Sequence, residues 1–588
     1  MVLEALGPTA RDAAAHERWR EAASAMRLAL GWTEAQLIVL PHAGGTLLAF
    51  AAPMGTLFTA TEMNEWAWEQ ASGIFRPGFD AASRLPFDQL HVLSESFAEV
   101  VAAFKTRAAA ETNCRLDTLR LAAHARGVPL FADDDNVSLG AGAHSQTWPL
   151  TALPDAQHLD WSGLRGIPTA VVTGSNGKTT TVRLLAALIA ASDARFDGHV
   201  GYSSTEGVMI GGERAGEGDF SGPAGARLVL RDKRVEAAVL ETARGGILRR
   251  GLAVDKAAVG VVTNVSADHF GEYGIDSLED LADVKLVVRH ALGTDGTLVL
   301  SADDKVLLAR APAQVCKVAL FALDDSHPAL VAHRKHGGET CGLVEEHLIL
   351  SRGSECFSLG HFHDMPLTLN GAAMFNIANI AAAALAASAL GISPAIISEQ
   401  LKRFGGSRLH NPGRLDCWKL ADITVVIDYA HNPDGLKMLL EGMEVIRREQ
   451  STVAGNARRI GLLLGQAGNR SNEAVAELAR VAATSKPNLI VVKEIPSMLR
   501  GRATGEVSAL LKDALLAADY PAEDICMQAD EVEAARQLLR WAAVGDVVVL
   551  PVHQSAARKA LTAMLDAMEQ ICWHAGSPLP AATPDVPF

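Results

Sequence analysis

Residues 171–189, VVTGSNGKTTTVRLLAALI, set a lysine and three threonines between two glycines and a helix, directly after an apolar strand. Backbone N–H groups left free at a helix start, the positive end of the helix dipole and the ammonium of Lys178 all favour one dense anion, a polyphosphate. The pattern is Gly174-Ser175-Asn176-Gly177-Lys178-Thr179-Thr180. Val172 stands where the longer phosphate-loop consensus has its first glycine. Taken alone, the stretch fits either a phosphate cradle or a glycine turn with an exposed lysine.

Two more strand ends carry groups that hold metals. In VLETARGGILRRGL (239–252) Glu241 closes an apolar strand, and with the Thr179 hydroxyl it could hold Mg²⁺; it could equally be a solvated carboxylate. TNVSADHFGEYG (263–274) ends the next strand with Asp268 and His269, either metal-competent groups or hydrogen-bonded turn residues. Lys285 follows in LADVKLVV, a snorkelling lysine if it faces solvent.

The elements that must position these groups follow from the apolar pattern. AVVT (170–173), AAVLET (237–242), AVGVVTNV (258–265) and TLVLS (297–301) are short, nearly continuous apolar runs separated by helical stretches, which predicts a parallel sheet covered on both faces. After the turn-rich RFGGSRLHNPG (403–413) the alternation restarts with TVVIDY (424–429), RIGLLLG (459–465), LIVVK (489–493) and DVVVLP (546–551), predicting a second α/β unit beyond a boundary near residue 410. Upstream, helical patterns at 98–110 and 116–125 mix with a short strand at 37–40, and SLGAGAHSQTW (138–148) is expected to be a loop.

A length of 588 residues suggests three or four units at about 150 residues each. With 53 basic against 68 acidic residues the formal charge is −15, which argues against nucleic acid or an acidic membrane as a general partner. The seven cysteines are scattered and never form CxxC, so a reducing cytoplasm is expected, and the charged N-terminus shows no secretory pattern. The longest apolar run, 377–392, is alanine-rich and broken by Asn379 and Ser388, as suits a packed helix rather than a membrane span.

TGSNGKTT, the Glu241 strand end, NVSADH, the helix with Lys285, LNGAAMFNIANIAAAALAA (369–387), NPGRL (411–415) and DYAHNPDGL (428–436) occur in the order seen in the Mur ligase superfamily. Within it, TEGVMIGGERAGEGDFSGPAGARLVL (205–230) and the residues around Arg244 resemble the Mur-ligase-like half of the cyanophycin synthetases. The stretch 125–149 is similar to the segment opening their ATP-grasp part, whose body is expected to be absent, since only about 20 residues separate that stretch from the glycine loop. The resemblance implies an α/β fold in three parts: a separate α+β N-terminal domain (1–160), a Mur-ligase-like P-loop central domain with a parallel sheet (161–410) and a C-terminal Rossmann-like α/β domain (411–588).

It further implies an ATP- and Mg²⁺-dependent ligase that activates a carboxylate as an acyl phosphate for attack by an amine. Lys178 would contact the phosphates, Thr179, Glu241 and His269 would hold metal, and Lys285 would match a lysine carbamylated in many members. Asn376 and Asn379 would lie beside the adenine, while Arg414, Asp428 and His431 would close on phosphates and ribose after a hinge motion near 405–413. Ser203, Ser204, Thr205 and Arg244 are candidate substrate contacts. Small amino-acid or peptide substrates and a homo-oligomer are expected, with no nucleic-acid or membrane partner. Asn469-Arg470 stands where relatives tend to carry aspartate-arginine, so arginine is not carried over as the incoming amine. A non-catalytic nucleotide-binding scaffold and a simple P-loop ATPase or kinase remain the competing readings.

Overall fold

The computed structural model describes residues 1–32, 36–42, 45–73, 95–192, 196, 199–268, 270, 272–311, 316–451 and 458–580. The apolar runs around the glycine loop form the middle of an eleven-stranded sheet. Seven neighbouring strands are parallel, in the order Val200–Ser204, Ala237–Glu241, Thr169–Thr173, Ala257–Val262, Leu292–Ser301, Lys317–Phe321 and Glu339–Val344. Antiparallel strands close both edges. Register pairs Glu241 with Val172 and Val262 with Thr173, so three adjacent strands finish level at their carboxyl ends, the edge where α/β sheets bind ligands.

Both faces of the sheet are covered. On one lies the helix Lys178–Ala190, whose Leu184, Leu185 and Leu188 are fully buried, packed against the helix Met374–Ala389. Ala381 to Ala384 are at most 1% exposed, and their small side chains permit this close approach of helix to helix and sheet. The opposite face is filled by Val229, Leu230, Leu286 and Val288 among others.

A second sheet of six strands runs Asp416–Lys419, Thr424–Asp428, Val547–Pro551, Ile460–Leu464, Leu489–Lys493 and Ile525–Gln528, parallel except for the first pair. Its core takes in Ala372 and Ala373, which precede the helix Met374–Ala389, so this unit shares apolar packing with the central one.

At the N-terminus, Val2–Leu6, Gly45–Ala49 and Ile38–His42 make an antiparallel sheet packed with helices Ala13–Ala29, Leu57–Ser72 and Glu95–Glu111. The stretch 138–148 is a loop only over 140–145, for its two ends are strands: Leu130–Ala132, Asn136–Leu139 and Gln146–Pro149 form a three-stranded sheet. Its glycines mark close approaches rather than disorder. A Cβ at Gly142 (φ +55°) would come within 2.0 Å of the Val235 carbonyl, and Ser138 and Thr147 hydroxyls pair across strands at 2.8 Å. Residues 150–168 then carry one short 3₁₀ turn and no strand. Among the described residues no helix is long and apolar enough to cross a membrane.

Candidate active site

The glycine loop is held open from behind by the neighbouring strand end. Ser175 N–H donates to the Asn264 carbonyl, Asn176 N–H donates to Asn264 Oδ1, and the Thr263 hydroxyl donates to the Asn176 carbonyl at 2.6 Å. Gly177 (φ +82°) lies so close to the Asn379 carboxamide that a Cβ would stand 2.0 Å from its oxygen; only glycine fits. Lys178 Nζ folds back over the loop and donates to the Gly174 and Ser175 carbonyls, each at 3.1 Å.

Directly beside the loop, the Thr179 hydroxyl donates to Glu241 Oε2 at 2.9 Å. Thr205 donates its hydroxyl to the other carboxylate oxygen at 2.6 Å and its N–H to Oε2 at 3.2 Å. Glu241 is 1% exposed, so three hydrogen bonds compensate a desolvated charge. Hydroxyl and carboxylate oxygens together are the hard donor set Mg²⁺ prefers. Of the remaining expected metal-site groups, His269 lies outside the described residues.

Lys285 ends the helix Leu278–Lys285 and is 3% exposed rather than at the surface. Burial pushes its amine well below the usual lysine range, nearby Lys178 and Arg244 push the same way, and only Asp268 opposes. It lines a cavity of about 630 Å³ together with Lys178, Arg244, Arg249, Arg500 and Glu272. In that cavity Arg244 pairs with Glu272, which also accepts from Asn469 Nδ2 at 3.0 Å.

The C-terminal unit closes the front of the loop. Asn432 Nδ2 donates to Asn176 Oδ1 at 2.9 Å, Asn411 Nδ2 donates to the Thr180 hydroxyl at 3.2 Å, and His431 and Arg470 approach Asp268 at 3.6 and 3.3 Å. Arg414 stacks over Tyr429, 4.5 Å from its ring centre, and pairs with Glu206 at 3.4 Å. Asp428 accepts N–H bonds from Leu415 and Ala430; burial nonetheless raises its pKa above the usual carboxylate value. Of these groups His431, Arg470, Arg414, Tyr429 and Asp428 share a cleft of about 490 Å³ with Ser175, Lys178, Thr179 and Glu241.

Asn376 and Asn379 sit one helical turn apart, linked at 3.0 Å, with Asn376 donating to the Leu367 carbonyl at 2.8 Å. Both line the cleft. Two candidate substrate contacts do not: Ser203 is 0% exposed, and the Ser204 hydroxyl is spent shaping a turn, donating to the Gly207 carbonyl and accepting from Glu206 N–H, both at 3.2 Å. Thr205 reaches the cleft, bound to Glu241.

Sequence reasoning missed Arg183, a charge on an otherwise buried helix. Its guanidinium, 5% exposed, donates to the Pro412 carbonyl at 2.9 Å and to Asn411 Oδ1 at 3.3 Å, tying the phosphate-loop helix to the segment entering the second unit. The signal was present: a lone arginine inside TVRLLAALI.

The Mur ligase middle domain matches residues 172–387, and the Mur ligase glutamate ligase domain matches 413–551. The chain belongs to the Mur ligase superfamily. It is 36% identical over 388 residues to a cyanophycin synthetase of Crocosphaera subtropica, an alignment covering 65% of this chain and 42% of that protein. It is 28% identical over 397 residues to a UDP-N-acetylmuramoyl-L-alanyl-D-glutamate–2,6-diaminopimelate ligase of Gloeobacter violaceus, covering 66% and 72%. Among solved structures, MurF from Acinetobacter baumannii is similar at 17% identity and a TM-score of 0.44, covering 68% of this chain and 77% of that one. The chain thus spans less than half the length of the cyanophycin synthetases it matches.

Proposed function

We propose that this chain is an ATP- and Mg²⁺-dependent carboxylate–amine ligase, forming an amide or isopeptide bond on an amino acid or small peptide related to cyanophycin-type substrates. The observation that carries the reading is the convergence on one cleft of Lys178, the Thr179–Glu241 pair and, from the second unit, Arg414 and Asp428.

In this reading a carboxylate oxygen attacks the γ-phosphorus, the bond to the bridging oxygen of ADP breaks, and an acyl phosphate results. An amine then attacks the acyl carbon and loses its proton, and inorganic phosphate leaves. Lys178 exchanges its bonds to the Gly174 and Ser175 carbonyls for phosphate oxygens and offsets their charge as the acid approaches. Thr179 and Glu241 would hold Mg²⁺, which supplies charge neutralisation to the phosphates when bound. Arg414, held between Tyr429 and Glu206, is placed to bind phosphate, and Asp428 to accept from ribose.

The cavity behind the loop, with Arg244, Arg249 and Arg500 in its wall, suits the acid. Burial holds the Lys285 amine well below the usual lysine range, which favours the unprotonated form that carbamylation requires, consistent with the family resemblance. The test is an ADP-release screen of amino acids and dipeptides offered in pairs, with mass spectrometry of the product. Release that requires both an acid and an amine supports the ligase; release with one acceptor and a stable phosphorylated product indicates a kinase; nucleotide binding without turnover indicates a scaffold.

A further inference from the structure

At the far edge of the central sheet, the antiparallel strands His347–Arg352 and Glu355–His361 bring together groups that the nucleotide site does not use. They lie five and six strands from the phosphate-loop strand, a separation on the order of 25 Å. The turn before the hairpin carries Glu346, and the 3₁₀ turn after it carries His363, with His361 at the last strand position. His361 Nε2 is 2.6 Å from Glu346 Oε2, and His363 Nε2 is 3.9 Å from Glu346 Oε1. One donor atom from each of the three lies within 4.8 Å of the others. His347, the cross-strand partner of His361, brings a further imidazole, its ring centre 5.1 Å away.

The backbone holds this arrangement in advance. Phe362, between the two histidines, is 8% exposed, and its N–H donates to the Glu346 carbonyl at 3.0 Å. His363 Nδ1 donates to Asn370 Oδ1 at 3.2 Å, which leaves the Nε2 lone pair facing Glu346. A ring nitrogen anchored to an outer oxygen while the other points at the ion is the usual arrangement of a histidine ligand. An ion at His361 Nε2 would require the other tautomer, with the proton now shared with Glu346 carried on Nδ1, at the cost of the long 3.3 Å bond from the His363 N–H.

We infer that Glu346, His361 and His363 form a binding site for a divalent transition ion of the zinc class, distinct from the proposed magnesium site. Two imidazoles with one carboxylate suit Zn²⁺ or its neighbours far better than Mg²⁺, which takes oxygen ligands. The role is structural. The segment that His361 and His363 begin continues to Leu367, whose carbonyl accepts from Asn376, so an ion there would brace the floor beneath the asparagine pair from outside.

The test uses the full chain, freed of any affinity tag and stripped with chelator, titrated with ZnCl₂ against a chromophoric competitor and with CoCl₂ by visible absorption. The expected result is one equivalent of zinc, cobalt bands of low coordination number, and a raised Tm on adding zinc. The double variant His361→Ala/His363→Ala loses that equivalent and the shift. Glu346→Gln, a change at an exposed position that keeps the test available should the double variant fold poorly, weakens zinc binding by about tenfold or more. Absence of a stoichiometric site in the parent chain, its retention in the double variant, or an unchanged zinc affinity in Glu346→Gln overturns the inference.

Discussion

The two walls of the cleft are built on different principles. The phosphate-loop wall is set by sheet register and by backbone bonds from Thr263 and Asn264, so Lys178, Thr179 and Glu241 stand where the fold puts them. The wall from the second unit meets it near the loop through side-chain polar contacts, from Asn432, Asn411, Arg470 and Arg558. Apolar packing between the units gathers elsewhere, at Ala372 and Ala373. Polar contacts can be exchanged for contacts to a ligand at small net cost, whereas packed cores cannot. One wall is therefore a fixed template and the other a docked one, which is what a reaction needing both a preformed phosphate cradle and substrate entry requires.

Breaking the fixed wall should have the largest effect. Lys178→Ala removes a half-buried charge and no core volume, so ADP release should fall roughly 10²–10³-fold with the Tm unchanged. Glu241→Gln should cost a comparable factor and raise the Mg²⁺ concentration needed for half-maximal rate, since the Thr179 and Thr205 hydroxyls would lose their anionic acceptor.

The docked wall should show itself in stability instead. Asp416, beside the joint, is buried, and burial pushes its carboxyl up to about 6 from an ordinary 3.8. A raised folded-state value means that stability falls as pH climbs from about 4 to about 6 and is level above, by at most about 3 kcal/mol. Asp416→Asn should therefore raise the Tm at pH 7.5, leave it nearly unchanged near pH 4, and flatten the profile between.

Arg183→Ala should destabilise by about 2 kcal/mol, because the Pro412 carbonyl and Asn411 Oδ1 lose a buried donor, and should raise KM for ATP more than it lowers kcat. The smallest effect should come from Glu206→Gln. It weakens the pairs to Arg414 and Arg558 and should cost about 1 kcal/mol in thermal unfolding, with a modest rise in KM for ATP.

The same contrast explains what could be read before the fold was seen. Continuous apolar runs point to parallel strands, and parallel strands to where their ends fall, so pattern offered Glu241 as a candidate neighbour of Thr179, with a solvated carboxylate as the alternative. The docked wall depends on which loops approach which. Nothing local marks Glu206 as the partner of Arg414 and Arg558, or Asp268 as the meeting point of His431 and Arg470. Ser203 was a candidate through the family resemblance alone, and its burial follows from packing that sequence does not display; the sheet at 130–149 was hidden by glycines whose purpose, close backbone approach, is visible only in three dimensions.

The central claim is that the cleft passes a phosphoryl group from ATP to a carboxylate oxygen. With an acid and amine pair selected by the ADP-release screen, the acid is labelled with ¹⁸O in its carboxyl group and the released phosphate is analysed by mass spectrometry. Transfer through an acyl phosphate predicts ADP as the nucleotide product and one labelled oxygen in the inorganic phosphate. Phosphate free of label, or release of AMP and pyrophosphate, would contradict it.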